Sequence, residues 1–377
     1  MTKEKLFELL TKIFDKYIRS KWCLPAACLI FTLIVCALFI PQKFSLNPFD
    51  ETPAPVHTGE LPLLTISSLD APATIGGVSS SRGSDQLIPV NNNPWTEDAQ
   101  LTTLPVFRNP LEYKGGYVTN ADSEKMEALL LKTIHALGLN ANRLEIDTQK
   151  KYSITTAKSK DIQISVSANL TARIYLQDSL TPNKYDISLQ ASYKDLQKGA
   201  KYLQKKYKAL LDMKKPQINI STSLHVPDAY NLSFYEGKGD LTEQIVNYNF
   251  NKIYFSGSTG VEFSTIDICQ PDLSQKLGDY PIISVEKAKE LLVAGNYYGA
   301  VTTKISDGEF VPFSHFPGLE YVKKVELVYL PGSDHNIFIP YYCFYVDDSY
   351  YVDLNGNYYV PAIESQYITN MPVNGVY

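Results

Sequence analysis

Few residues of this chain stand at spacings that could do chemistry. Ser284 and Lys287 fit the S-x-x-K arrangement of penicillin-recognising enzymes, in which a lysine assists a serine nucleophile. That chemistry also needs an S-x-N and a K-[ST]-G further on, and neither follows Lys287. Ser284 instead stands where a helix cap belongs. The five histidines, His57, His135, His225, His315 and His335, form no H-x-x-x-H or H-E-x-x-H pair and so specify no metal centre. Without a matched nucleophile motif no Ser-His-Asp triad can be assembled. There is no G-x-G-x-x-G after a strand and no Walker loop. The chain therefore reads as non-enzymatic, with no cofactor, no metal and no catalytic residue.

Three further constellations remain. Asp353, Asn355 and Asn357 begin like a calcium loop, but the sixth position, where glycine is needed, is Tyr358, although Glu364 fits the twelfth. Asn355-Gly356 between two Tyr-Tyr-Val runs predicts a type I′ hairpin turn, and Asp347, Asp348, Asp353 and Asn355 are the cation candidates left over. Cys23, Cys28 and Cys36 fall in an apolar run, which leaves Cys269 and Cys343 for either one bridge or two buried thiols. Thirteen of the 27 tyrosines lie in the last 81 residues. Tyrosine suits a half-buried sheet, and it also suits a binding face through its large area and polar tip. Tyr341, Tyr342, Tyr345, Tyr358 and Tyr359 are thus the candidate partner-binding surface, with core packing as the alternative.

The elements that must position these residues start with a membrane segment. From Cys23 to Ile40 there is no charged residue, and 18 residues of helix span about 27 Å, close to a bilayer's hydrocarbon core. Before it, Leu6, Leu9, Leu10, Ile13, Phe14, Tyr17 and Ile18 line one face of an amphipathic tail, residues 1–22. Lys16, Arg19 and Lys21 precede the span and only Lys43 follows closely, so the N-terminus is expected in the cytoplasm and the bulk outside. No small-x-small cleavage site closes the span, which makes it an uncleaved anchor. The tail carries +3 of a total of −5, leaving about −8 outside, which argues against nucleic acid as a partner.

Residues 41–100 hold eight of the 22 prolines and bury little, so they are expected to be a disordered tether with short extended patches such as Leu61–Ile66. A coil of that length spans on the order of 40 Å. Order is expected from Leu104. A helix capped by Asp122 or Ser123 is stopped at Gly138, and strands follow at 143–148 and 152–157. Unbroken alternation over Ile162–Leu176 reads as one long strand, with Tyr185–Ala191 as its antiparallel partner. Next come a lysine-rich helix over Tyr193–Met213, strands at 231–235, 245–256 and 261–268, a helix at 284–294, and strands at 322–330, 336–346 and 358–363. The expected class is α+β: an N-terminal transmembrane helix, a tether, then two small modules of antiparallel sheet packed on helices, residues 101–235 and 236–377.

The tyrosine runs, with Tyr280-Pro-Ile-Ile-Ser-Val-Glu-Lys-Ala-Lys-Glu-Leu-Leu292 and Val325-Glu-Leu-Val-Tyr329, resemble the C-terminal region of YycH/YycI-type proteins. These are PepSY-like accessory membrane proteins of the cell-wall two-component system in low-GC Gram-positive bacteria. The resemblance spans residues 280–365 in pattern and the whole chain in layout, and the long Pro/Ser tether departs from it. It implies a regulator that contacts a sensor kinase or a homologous accessory protein, and it supplies no catalytic residue. The expected role is a single-pass, extracytoplasmic binding protein that modulates a membrane partner through a protein or peptide contact. The competing expectation is an envelope hydrolase or assembly factor whose site converges only in the fold.

Overall fold

Asp122 starts the first helix of the computed structural model for a reason visible in its own side chain. Its Oδ1 accepts the backbone N–H groups of Glu124 (3.1 Å) and Lys125 (3.0 Å), two of the donors a helix start leaves without partners. The structure describes residues 60–66 and 92–373, the latter interrupted at 115–116, 150–151, 179, 182–184, 186–190, 223–229, 257–263, 305–309, 313–315, 332–335 and 349–353. The expected tail, transmembrane helix, most of the tether and residues 186–190 of the expected strand at 185–191 lie outside the described residues. Among the described residues no helix is long and apolar enough to cross a membrane.

In chain order, β1 (Thr103–Arg108) and the small hairpin β2 (Tyr113–Lys114) and β3 (Tyr117–Val118) lead into α1 (Ser123–Ala136). Leu137 caps α1 and Gly138 turns the chain at φ +71°. Then come β4 (Glu145–Gln149), β5 (Ile154–Lys158), β6 (Ile162–Ser167), β7 (Thr171–Leu176), α2 (Tyr193–Lys206), α3 (Lys208–Leu211), β8 (Pro216–Thr222) and β9 (Tyr230–Glu236). After α4 (Leu241–Phe250), β10 (Lys252–Ser256) and β11 (Thr265–Cys269) complete an antiparallel eight-stranded sheet in the order β4-β5-β6-β7-β11-β10-β9-β8. One face of it is apolar. Ile164, Val166, Ile174, Phe234, Phe255 and Ile266 pack with Leu130 and Ile134 of α1 and Leu203 of α2, each fully buried side chain contributing about 1.5–3 kcal/mol.

The remaining strands are β12 (Lys276–Pro281), then after α5 (Val285–Val293) β13 (Tyr298–Lys304), β14 (Phe310–Pro312), β15 (Val322–Tyr329), β16 (Ile337–Phe338), β17 (Pro340–Asp348) and β18 (Leu354–Pro361). They form a five-stranded sheet, β14-β13-β18-β17-β15, and a three-stranded one, β12-β1-β16. α4 supplies Ile245, Val246 and Phe250 to the core behind β15. The fold is therefore α+β with antiparallel sheets, as the element order implied.

Several expectations are corrected. Residues 162–176 are a hairpin, because Leu170 takes φ +56° and the Asn169 carboxamide accepts from Ser167 Oγ (2.6 Å) and Thr171 N (3.2 Å). Residues 245–250 are helix, set by a reciprocal capping box between Asp240 and Glu243. The helix expected over 193–213 breaks at Tyr207. Asn355 and Gly356 pair within β18 against Thr302 and Val301 of β13 and Asp347 and Val346 of β17, so they do not form the turn. β10 and β11 extend the first sheet past residue 235, and β1 belongs with β12 and β16, so the sheets do not divide at the expected boundary. Order also begins before Leu104. Trp95 is buried against Tyr342, with ring centres 5.6 Å apart.

The stretch 60–66 is packed rather than free. Leu64 N donates to Tyr367 O (2.7 Å) and Thr369 N donates to Leu64 O (2.8 Å). Leu64 and Ile66 are 2% and 1% exposed.

Candidate functional site

Alternation leaves the second face of the eight-stranded sheet polar. Ser165, Arg173, Asp267, Tyr254, Ser233 and Asn219 lie in one register row across neighbouring strands. Arg173 Nε donates to Asp267 Oδ1 at 2.5 Å, a charge-assisted pair on the half-open surface. Where β7 begins and β11 ends, beside Thr171, Cys269 and Tyr254, this face borders a cavity of about 400 Å³. Asn249 and Phe250 at the end of α4 and Phe338 of β16 form the facing wall.

Asparagines shape the cavity by holding its loops. Asn120 accepts from Glu112 N (2.8 Å) and donates to Pro110 O (2.8 Å). Asn249 donates to Ile245 O (2.8 Å) and accepts from Tyr329 N (2.9 Å), which ties α4 to β15. At the rim Lys125 Nζ meets Asp272 Oδ2 at 2.5 Å and Asp122 Oδ2 at 3.9 Å. That contact holds the Lys125 ammonium above its ordinary range. Burial pushes Asp272 up, but the hydrogen bonds from Lys125 and Ser274 outweigh it and the carboxyl ends below its usual range. Deeper in, burial raises the Tyr254 phenol, and burial with the nearby Asp267 pushes the Cys269 thiol up to about 11. At neutral pH the interior thus presents a neutral phenol and a neutral thiol, with a compensated ion pair at its edge. An activated nucleophile needs the opposite shift.

Behind Cys269 lies a buried charge the sequence reading missed. Lys252, 9% exposed, pairs across the ladder with Cys269 and Tyr235. Burial drives its ammonium down to about 8, against the opposing pull of Glu326 and Cys269. Glu326 of β15, 2% exposed, is held by Lys324 and accepts from Tyr345 OH (2.9 Å). Reading 245–256 as a single strand hid this, since Lys252 then looked like one more polar residue on an alternating run.

The tyrosines expected to form a binding face are mostly interior. Tyr341, Tyr342, Tyr358 and Tyr359 are buried, and Tyr345 is half-buried with its hydroxyl on Glu326. Tyr342 OH donates to Ile283 O (2.8 Å), and the Tyr358 ring stands edge-on to Tyr297 at 5.0 Å. The core reading holds for these four. Cys269 and Cys343 are free thiols in different sheets, not a bridge. Ser284 caps α5, accepting from Lys287 N (3.2 Å), while Lys287 Nζ pairs with Glu290. Among the described residues no three His, Cys, Asp or Glu side chains converge as metal ligands. Asp353 lies outside the described residues, and Asp347 and Asp348 are described only as backbone in β17.

No protein-family model matches the chain, and no curated protein matches it. Among solved structures it is similar to an uncharacterized protein from Eubacterium rectale, with 10% identity over 70% of this chain and 84% of that one, at a TM-score of 0.29. A likeness at that score carries no inference about activity.

Proposed function

We propose that this is a membrane-anchored, non-enzymatic binding protein whose exterior domain engages a protein or peptide partner and modulates a membrane protein. In keeping with the YycH/YycI resemblance, a sensor kinase or a homologous accessory protein is the partner class. The observation that carries the reading is the chemistry of the cavity. Its amides hold loops, its thiol and phenol are shifted away from reactivity, and its one lysine is neutralised by two carboxylates. Such a lining offers hydrogen bonds and apolar walls for recognition without a group poised near neutral pH for proton transfer.

A photo-crosslinking residue in place of Gln275, at the cavity mouth, tests this in intact membranes, with one in place of the exposed Val293 as control. The expected result is one discrete adduct from position 275 and none from 293. The same adducts from both positions, or none from 275, overturns the proposal.

A further inference from the structure

The eight-stranded sheet has two edges, β8 and β4, and only one of them is closed. On β8, Asn92 donates its side-chain amide to Ile218 O and its backbone N–H to Asn219 Oδ1 (3.2 Å). The β15 edge of the five-stranded sheet is closed in the same manner. Asn93 Nδ2 donates to Leu327 O (3.2 Å), and Tyr329 N donates to Asn249 Oδ1 (2.9 Å). β4 is bare. All of Glu145–Gln149 is exposed, and no hydrogen bond from the described residues reaches its outer side.

Which groups face outward follows from the turn beside it. Ser159 N donates to Ile162 O (2.9 Å), so in β5 it is Thr155 and Ala157 that exchange bonds with β6. Ile154, Thr156 and Lys158 are left to bond Gln149, Asp147 and Glu145 of β4. The backbone N–H and C=O of Ile146 and Thr148 therefore point away from the sheet. Their side chains stand on the core face, beside the buried Ala157 and Thr155. α1 lies over β5, β6 and β7, and Ile146 beyond it is 47% exposed. The apolar face thus runs one strand past its cover. On the other face Glu145 is paired with Lys158 (3.4 Å), whereas Asp147 accepts only from the Gln149 amide (3.2 Å) among the described side chains.

A second copy fits this edge poorly. Laid antiparallel along the whole strand it would set Asp147 against Asp147, and with Ile146 on Ile146 it would set Glu145 against Asp147. The shift that puts Thr148 on Thr148 pairs only three of the 5 residues. We infer that β4 takes up an extended segment of another protein as a further antiparallel strand, with aliphatic side chains opposite Ile146 and Thr148 and an arginine or lysine opposite Asp147. The residues opposite Ile146 and Thr148 exchange backbone bonds with them and turn their side chains onto the uncovered apolar face. The residue opposite Asp147 falls in the closer, unbonded pairing, about 4.5 Å between Cα atoms, where a cation reaches the carboxylate. Backbone bonds supply the affinity and alternate side chains select the partner. No residue of β4 or β5 lines the cavity, so this surface is separate from the one proposed above.

The test uses the detergent-solubilised full chain, so its outcome does not depend on the membrane reading or on the cavity. The probe is a fluorescent peptide, Ser-Thr-Val-Arg-Val-Thr-Ser, titrated into wild type and variants. Thr148→Pro removes an outward N–H and blocks the edge while leaving the ladder to β5 whole. It is expected to keep the melting transition and to lose at least about tenfold in affinity. Asp147→Lys is expected to weaken binding of this peptide about tenfold, and to bind a peptide with glutamate in place of the arginine more tightly than wild type does. N-methylation of either valine, whose N–H faces β4, is expected to abolish binding. N-methylation of the arginine, whose N–H faces away, is expected to preserve it. No saturable binding to wild type, equal affinity for wild type and Thr148→Pro, or equal loss from N-methyl groups on valine and arginine overturns the inference. Self-association of the full chain that Thr148→Pro abolishes, without peptide binding, would assign the edge to a second copy and overturn it equally. Should Thr148→Pro fail to fold, the N-methylated peptides decide the matter on wild type alone.

Discussion

The Lys252 ammonium stands 3.6 Å from the centre of the Tyr248 ring, so a cation on β10 is sandwiched under α4. The contact returns part of what hydration loss costs, by attraction to the ring face. Glu326 across the junction adds to it, but burial still wins and the group titrates near 8 instead of 10.5.

A depressed lysine has a definite effect on stability. Between about pH 8 and 10.5 the folded chain has released the proton and the unfolded chain still holds it, so stability rises with pH through that window. Below pH 8 the full cost of the buried charge is present. Lys252→Met removes that cost while Glu326 keeps Lys324 and the Tyr345 hydroxyl, and is therefore expected to stabilise the protein at pH 7 by about 1–3 kcal/mol. The difference from wild type should shrink as pH rises from 8 to 10.5. Paired urea melts at several pH values check this, and a gain that does not vary with pH would show that packing alone is responsible.

Asn249→Ala is expected to destabilise by about 1–3 kcal/mol, because it leaves the buried Tyr329 N–H without its acceptor. The midpoint of chemical unfolding measures the loss.

Tyr358 fills core space between Tyr297 and Phe316. Tyr358→Ala should accordingly cost about 3–5 kcal/mol of stability. A loss of partner binding with an unchanged melting temperature would restore the tyrosine-face reading.

The two domain thiols should be inert. With its pKa near 11, Cys269 is about one part in a thousand thiolate at pH 8. Cys343 is raised further by burial and by Glu326. Peptide mapping after maleimide treatment should find both unmodified in the native chain and both modified in urea.

What could be read from the sequence follows from how local each signal is. Asp122 and Ser284 cap their helices within three residues of sequence, so both helices were legible, and so were β15 and β17 from their apolar runs. The hairpin at 168–170 was not, because it carries no glycine or proline and Ala168 and Leu170 keep the alternation in phase. At 245–250, strand-like Ile, Val, Tyr and Phe are held in a helix by the capping box of Asp240 and Glu243 and by burial on several sides. Asn355-Gly356 carries a strong hairpin-turn signal, yet pairing with β13 and β17 overrides it. The cavity was invisible for a different reason. Its walls come from residues near 110, 122, 170, 250, 270 and 338, and no spacing rule joins segments so far apart.

We have proposed that this domain works outside a membrane to which the same chain is anchored. Single cysteines at three positions test it on intact cells with an impermeant thiol reagent. Ser80→Cys and Val293→Cys are expected to be labelled without lysis, and Thr11→Cys only after lysis. Labelling of Thr11→Cys on intact cells, with Ser80→Cys and Val293→Cys protected, would place the domain on the cytoplasmic side and overturn the proposed topology.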